Sequence, residues 1–202
     1  MIFEKGFIYH IYNQGNNKRK IFFKRENYLY FLIKIKTYIK PYTDILAWCL
    51  MPNHFHLMVL VRNVELPPLE NHTMTQSHRM ISTTRSLNDS IAIMLRSYTR
   101  AINKQNNLSG SLFKAHTKAE CLNCNKGITP SFFTENGSTR INIQNPEKQY
   151  PQVCFNYIHQ NPVNAGLSKN ETDWEFSSIL DYKGLRDGRL VNKEFAKEYG
   201  LI

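Results

Sequence analysis

Residues 43–61 read TDILAWCLM, then Pro52 and Asn53, then HFHLMVLV. So short a connection joins antiparallel neighbours, because parallel strands need a long crossover. Pro-Asn is also turn chemistry. Both runs are apolar at odd and even positions, so both faces must be covered, and the hairpin is expected at the sheet centre. Around it the period changes. In FIYHIYNQ, Phe7, Tyr9 and Ile11 alternate with Ile8, His10 and Tyr12, which predicts a strand. Tyr28, Phe31, Leu32, Ile35 and Ile39 have helical spacing up to Pro41. Residues 66–88 are polar and aperiodic and read as a loop. DSIAIMLRSYTRAINKQ predicts a helix with Ile91, Met94, Leu95, Tyr98 and Ile102 as its apolar stripe and Asp89 or Ser90 as its cap.

GSLFKAHTKAECL predicts a further strand with Lys114, His116 and Lys118 on one face. Residues 121–146 read as an insertion, and PEKQYPQVCFNYIHQNPVNAGL as a helix on which Val153, Tyr157 and Asn161 share a side. Strand, helix, hairpin, helix, strand and helix follow in that order. The expected class is α/β (α+β), a largely antiparallel sheet of ferredoxin-like or RRM-like topology with helices packed on it. One domain is expected over 1–170, with 171–202 as a C-terminal extension packed on it.

Lys and Arg number 26 against 16 Asp and Glu, a net charge of +10. Such a balance suits a polyanionic partner, although a solvated basic surface satisfies it too. No apolar run approaches the ~20 residues of a membrane span, and the early Glu4 interrupts any signal-peptide pattern. A cytoplasmic, nucleoid-associated protein without membrane partners is expected. Cys49 and Cys154 sit among apolar residues and read as core. Cys121 and Cys124 form a lone C-x-x-C without a second pair, and reduced thiols are the simple expectation.

The hairpin also poses a chemical question. Positions i and i+2 of a strand face the same way, so His54 and His56 project side by side. They are either two core histidines bonded to backbone or two ligands of one divalent metal. Tyr157 and Asn161, four residues apart, are neighbours on a helix. Asn161 precedes Pro162, so it is expected at the helix end or at a kink. An amide oxygen there suits a hard cation. His159 points elsewhere, as a structural group or a phosphate contact.

These stretches carry a resemblance. MPNHFHLMV resembles the HUH motif (histidine, bulky hydrophobe, histidine) of single-tyrosine HUH endonucleases. YIHQNPVNAGL resembles the tyrosine helix of their REP-associated tyrosine transposase branch. YHIYNQGNNK, GSLFKAHTKA and DWEFSSILDY are similar to further parts of that family, in the expected order. The likeness spans most of the chain outside 66–88 and 121–146. The family often has arginine where Gln14 stands, and a shorter insertion before the tyrosine helix.

The resemblance implies that His54, His56 and Asn161 bind Mg²⁺ or Mn²⁺ and that Tyr157 is the nucleophile. It implies a metal-dependent transposase of bacterial mobile elements. Such an enzyme nicks and rejoins single-stranded, hairpin-bearing DNA through a 5′-phosphotyrosine intermediate, as a monomer or homodimer. Lys18, Arg19, Arg96, Arg100, Lys114 and Lys118 are the expected phosphate contacts, with Asn13 as a further DNA contact. Two-tyrosine relatives place a second tyrosine one turn after the first, where this chain has Asn161. The alternative is a domesticated hairpin DNA-binding or processing protein no longer active in transposition. A metal-dependent RNA-processing enzyme on a similar fold is a third reading, but nothing in the chain selects for 2′-hydroxyls.

Overall fold

The computed structural model describes residues 2–67, 84–124, 134–135, 138–139 and 146–202. Its main sheet holds β1 (Ile8–Gln14), β2 (Thr43–Met51), β3 (His54–Val61) and β4 (Lys118–Cys121), in the order β2-β3-β1-β4. All three pairings are antiparallel. The helices are α1 (Arg25–Tyr38), α2 (Leu87–Asn106), α3 (Pro146–Asn164) and the short α4 (Ile179–Tyr182) and α5 (Lys193–Glu198). With α1 and α2 as crossovers, this is the expected split βαβ arrangement of a ferredoxin-like sheet.

The alternation of each strand divides the core in two. Tyr9 and Ile11 of β1 and Phe55, Leu57, Val59 and Val61 of β3 pack against the apolar stripes of α1 and α2. Phe31, Ile35, Tyr98 and Ile102 of those stripes are buried. On the other face, Ile8, Ala47, Cys49, Met58 and Leu60 meet Tyr150, Cys154, Phe155 and Ile158 of α3. This second layer holds α3 against the sheet, while Val153, expected on the Tyr157 side, is only half-buried.

Several expectations change. β2 lies at an edge of the sheet, not at its centre. It is apolar on both faces because the C-terminal chain covers its free edge: Leu50 N donates to Phe176 O, Ser178 N to Trp48 O and Asn192 N to Ile45 O, all at 2.8–2.9 Å. An uncovered edge would leave those backbone groups open to another chain. The strand expected after Gly110 is confined to Lys118–Cys121; the chain before it meets the end of β1 through a bridge from Gly15 to Phe113 and a bond from Lys114 N to Gln14 O at 2.8 Å.

Helix α3 does not stop at Asn161 but continues through Pro162 to Asn164. Ala165 N donates to Asn161 O and Leu167 N to Pro162 O, so the last turn closes despite the missing proline N–H. Cys121 and Cys124, expected as thiols, are joined in a disulfide, while Cys49 and Cys154 are free and buried. Of the loop expected over 66–88, residues 68–83 lie outside the described residues. Its end is already structured, since α2 starts at Leu87 and its cap is Ser86, not Asp89 or Ser90. Most of the expected insertion, 121–146, lies outside the described residues as well.

The Ser86 hydroxyl accepts from Asp89 N at 3.1 Å, and the Asp89 carboxylate reaches back to Ser86 N at 3.3 Å. This reciprocal pair satisfies two backbone donors that the first turn would leave orphaned. Ser86→Ala is expected to lower unfolding free energy by about 1 kcal/mol, read from urea midpoints at constant m.

Candidate active site

The face of β3 that carries Met58 and Leu60 into the α3 layer ends in His54 and His56, beside the β2–β3 turn. Their rings stand 4.9 Å apart, centroid to centroid, at 86°. Helix α3 crosses this end of the sheet and sets Asn161 over both rings. The Asn161 amide lies 3.3 Å from His54 Nε2 through Oδ1 and 3.3 Å from His56 Nε2 through Nδ2. One helical turn earlier, the Tyr157 ring stands 5.4 Å from that of His56, nearly perpendicular to it. Tyr157 is 44% exposed, whereas His56 and Asn161 are buried. The phenol is therefore open to a large substrate, and the groups behind it are shielded from water. The structure brings together all four residues singled out in the sequence.

Burial keeps the imidazoles neutral. It lowers the His54 pKa, partly countered by the Asn161 hydrogen bond, and lowers that of His56 well below the usual value, with the charges of His10 and His54 acting in the same direction. Burial raises the Tyr157 pKa, and the hydrogen bond from Asn161 works against that rise. The phenol thus keeps its proton at neutral pH until it reacts.

The hydrogen bonds also bear on whether a cation fits. Asn53 Oδ1 lies 2.6 Å from His54 Nδ1, and Asn53 Nδ2 donates to Lys18 O at 3.2 Å. The amide orientation makes Oδ1 the acceptor, so His54 carries its proton on Nδ1 and its Nε2 is bare. A bare nitrogen facing the Asn161 oxygen sets two lone pairs against each other, and a divalent cation between them resolves that conflict. Among the described residues no three His, Cys, Asp or Glu side chains form a metal cluster. The donor set that fits is two imidazoles and one amide oxygen, suited to Mn²⁺ or Mg²⁺.

The phenol and both imidazoles line a cleft of about 310 Å³ with Tyr12, Asn13, Gln14, Lys114, His116 and Lys118. Asn13 and Lys114 also line a second groove of about 460 Å³, with Arg96, Arg100 and Thr99 of α2 on its far wall. Four of the expected phosphate contacts, Arg96, Arg100, Lys114 and Lys118, therefore line these two neighbouring cavities, which share Asn13 and Lys114. Lys18 and Arg19 are exposed in the loop after β1 and line neither cavity, and the Arg19 guanidinium donates to Ser111 O. Asn13 is buried; its Nδ2 donates to Thr117 Oγ1 at 2.9 Å and Lys114 O at 3.2 Å, which ties the 114–117 segment to β1.

Sequence reasoning missed three residues at the site. His10 Nε2 lies 2.8 Å from His56 Nδ1. Tyr12 stacks on His10 and donates to Glu120 Oε1 at 2.6 Å. The alternation of β1 already placed His10 and Tyr12 on one side, but not which strand they would face. His159 takes the structural of its two readings: it is buried, and its Nε2 lies 2.7 Å from Ser178 Oγ.

No known family's sequence profile matches the chain, and no curated protein does. In three dimensions it is similar to a solved structure of the REP-associated tyrosine transposase bound to a REP hairpin. The TM-score is 0.50 at 17% sequence identity, over 88% of this chain and 79% of that one. At this identity the likeness is one of fold, an antiparallel four-stranded sheet with helices packed on it. Among the described residues no helix is long and apolar enough to cross a membrane.

Burial lowers the His159 pKa to about 3, with the charge of Lys183 adding to the shift. The unfolded chain takes up this proton first, near 6.5. Stability from the neutral ring is therefore intact above pH 6.5 and declines as pH falls from there toward 3. The urea midpoint is expected to fall over that window, less steeply in His159→Gln; equal slopes in the two proteins would contradict the assignment.

Proposed function

We propose that the chain is a single-tyrosine DNA strand transferase, a transposase that cuts and rejoins hairpin-bearing single-stranded DNA. The observation that supports it most is the placing of one accessible phenol beside two neutral imidazoles bridged by an amide. The family resemblance of the motifs and the fold shared with a hairpin-bound transposase point the same way.

In this reading the single strand lies along the groove between α2 and the 114–118 segment, its phosphates held by Arg96, Arg100, Lys114 and Lys118. The scissile phosphate enters the cleft in front of Tyr157. The Tyr157 oxygen bonds to phosphorus and gives up its proton as the bond to the 3′-oxygen breaks and that oxygen takes a proton up, which leaves a 5′-phosphotyrosine and a free 3′-hydroxyl. The phosphoryl group stays activated, and the 3′-hydroxyl of a second strand later displaces the tyrosine. His54 Nε2, His56 Nε2 and Asn161 Oδ1 would hold Mg²⁺ or Mn²⁺, which supplies charge neutralisation at a non-bridging oxygen. Asn161 lies one helical turn after Tyr157 on α3, so the helix sets the phenol beside the metal-binding groups.

The test incubates the protein with a hairpin-bearing single strand and Mn²⁺ and resolves products on a denaturing gel. Wild type is expected to form a covalent protein–DNA adduct and Tyr157→Phe none; an equal adduct in Tyr157→Phe contradicts the assignment. His54→Ala and His56→Ala should each abolish cleavage and leave hairpin binding within a few-fold. Hairpin binding without any adduct in wild type would favour a domesticated binding protein. Lys114→Ala is expected to weaken binding and to reduce the slope of log affinity against log salt by about one unit.

A further inference from the structure

Two side chains behind the site contact the imidazoles on the side away from Asn161. We propose that His10 and Asn53 are positioning residues that hold His56 and His54 in one tautomer, with the proton on Nδ1 and the Nε2 lone pair directed into the site. The inference concerns the imidazoles themselves; its His56 half rests on the metal-assisted reading, which orients the Asn161 amide.

Asn53 sets the tautomer of His54. Its Nδ2 donates to Lys18 O, which turns Oδ1 toward His54 Nδ1 at 2.6 Å, and an amide oxygen can only accept. The loop that presents Lys18 O is held in place by Gly15, whose N donates to Asn53 O at 2.8 Å. A Cβ on Gly15 would lie 2.2 Å from Arg19 O, so the loop closes this tightly only on glycine.

His10 plays the same part for His56. With Oδ1 turned to the cation site beside His54 Nε2, Asn161 Nδ2 faces His56 Nε2 at 3.3 Å and can only donate, so Nε2 is bare and the proton is on Nδ1. His10 Nε2 at 2.8 Å then accepts it. The His10 ring is clamped for this task. It lies nearly parallel to His56, at 5.0 Å and 24°, and to Tyr12, at 4.7 Å and 29°. Tyr12 is itself tethered to Glu120 on β4. Outer partners of this kind fix ligand orientation and raise ligand basicity, and their loss typically costs ten- to a hundredfold in metal affinity.

The experiment uses the full chain with ¹⁵N-labelled histidine, metal-free, at neutral pH. Long-range ¹H–¹⁵N correlation spectra report which ring nitrogen carries the proton. His54 and His56 are both expected to show a protonated Nδ1 and a bare Nε2; a proton on Nε2 of either ring overturns the proposal. Mn²⁺ titration by calorimetry gives the second readout. His10→Phe and Asn53→Ala are expected to bind Mn²⁺ about tenfold more weakly or worse. His10→Gln, which keeps an acceptor, should recover most of the loss. Unchanged affinity in His10→Phe also overturns the proposal. The wild-type spectrum needs no variant, so a misfolded His10→Phe does not shield the inference. Failure to form a DNA adduct, with both tautomers as stated, would defeat the strand-transfer reading and leave this assignment upheld.

Discussion

The Asn161 amide, 3.3 Å from one nitrogen of each of two imidazoles, is the contact on which the site depends. His54 and His56 come from the sheet and Asn161 and Tyr157 from α3, more than a hundred residues later in the chain. Nothing covalent near the site holds the two elements together. What holds them is the apolar layer under α3, where Cys154, Phe155 and Ile158 are buried against Cys49, Met58 and Leu60. Each fully buried aliphatic or aromatic side chain of this kind contributes about 1.5–3 kcal/mol. That is enough in sum to seat Asn161 over two lone pairs and to keep it there before substrate arrives. A site placed on a strand and a packed helix is more rigid than one placed on loops.

The two faces of the sheet divide the work. One face, under α1 and α2, is filled by aromatic rings such as Phe22, Phe31, Phe55 and Tyr98. The other face is packed against α3 along most of its length and opens to the cleft beside the β2–β3 turn. There the strand positions that elsewhere carry methionine and leucine carry histidine instead. The register of β1 against β3 sets Tyr12 opposite His56 and Gln14 opposite His54, so the end of β1 forms one wall of the cleft. The 114–118 segment, tied to β1 by Asn13, forms another wall and carries its lysines.

Much of this was legible in the sequence because it rests on local periods. The i, i+2 spacing put His54 and His56 on one side, and the i, i+4 spacing did the same for Tyr157 and Asn161. The stripes of α1 and α2 fall where their apolar residues repeat, and the two-residue turn made the hairpin antiparallel. What escaped depends on contacts with no local period. The strand alternation showed that His10 and Tyr12 share a face, but only the β1–β3 register brings His10 against His56. β2 read as a central strand because its apolar faces do not reveal that the C-terminal chain, through Phe176, Ser178 and Asn192, covers its edge. Asn161 read as a helix end or a kink because the residue before a proline is usually turned away from helical geometry. In the folded chain the packing under α3 outweighs that local preference, and the helix continues. The capping box of α2 was written in the sequence as Ser86 and Asp89, but Asp89 is also a good cap, and the choice between them lies in the backbone.

The most direct measurement of the central claim is a crystal of the protein soaked in Mn²⁺, with the ion located by its anomalous scattering. The account predicts one strong peak within ligand distance of His54 Nε2, His56 Nε2 and Asn161 Oδ1, on the side facing Tyr157. Saturating Mn²⁺ with no peak between these three atoms, or with the ion held elsewhere on the chain, would contradict it.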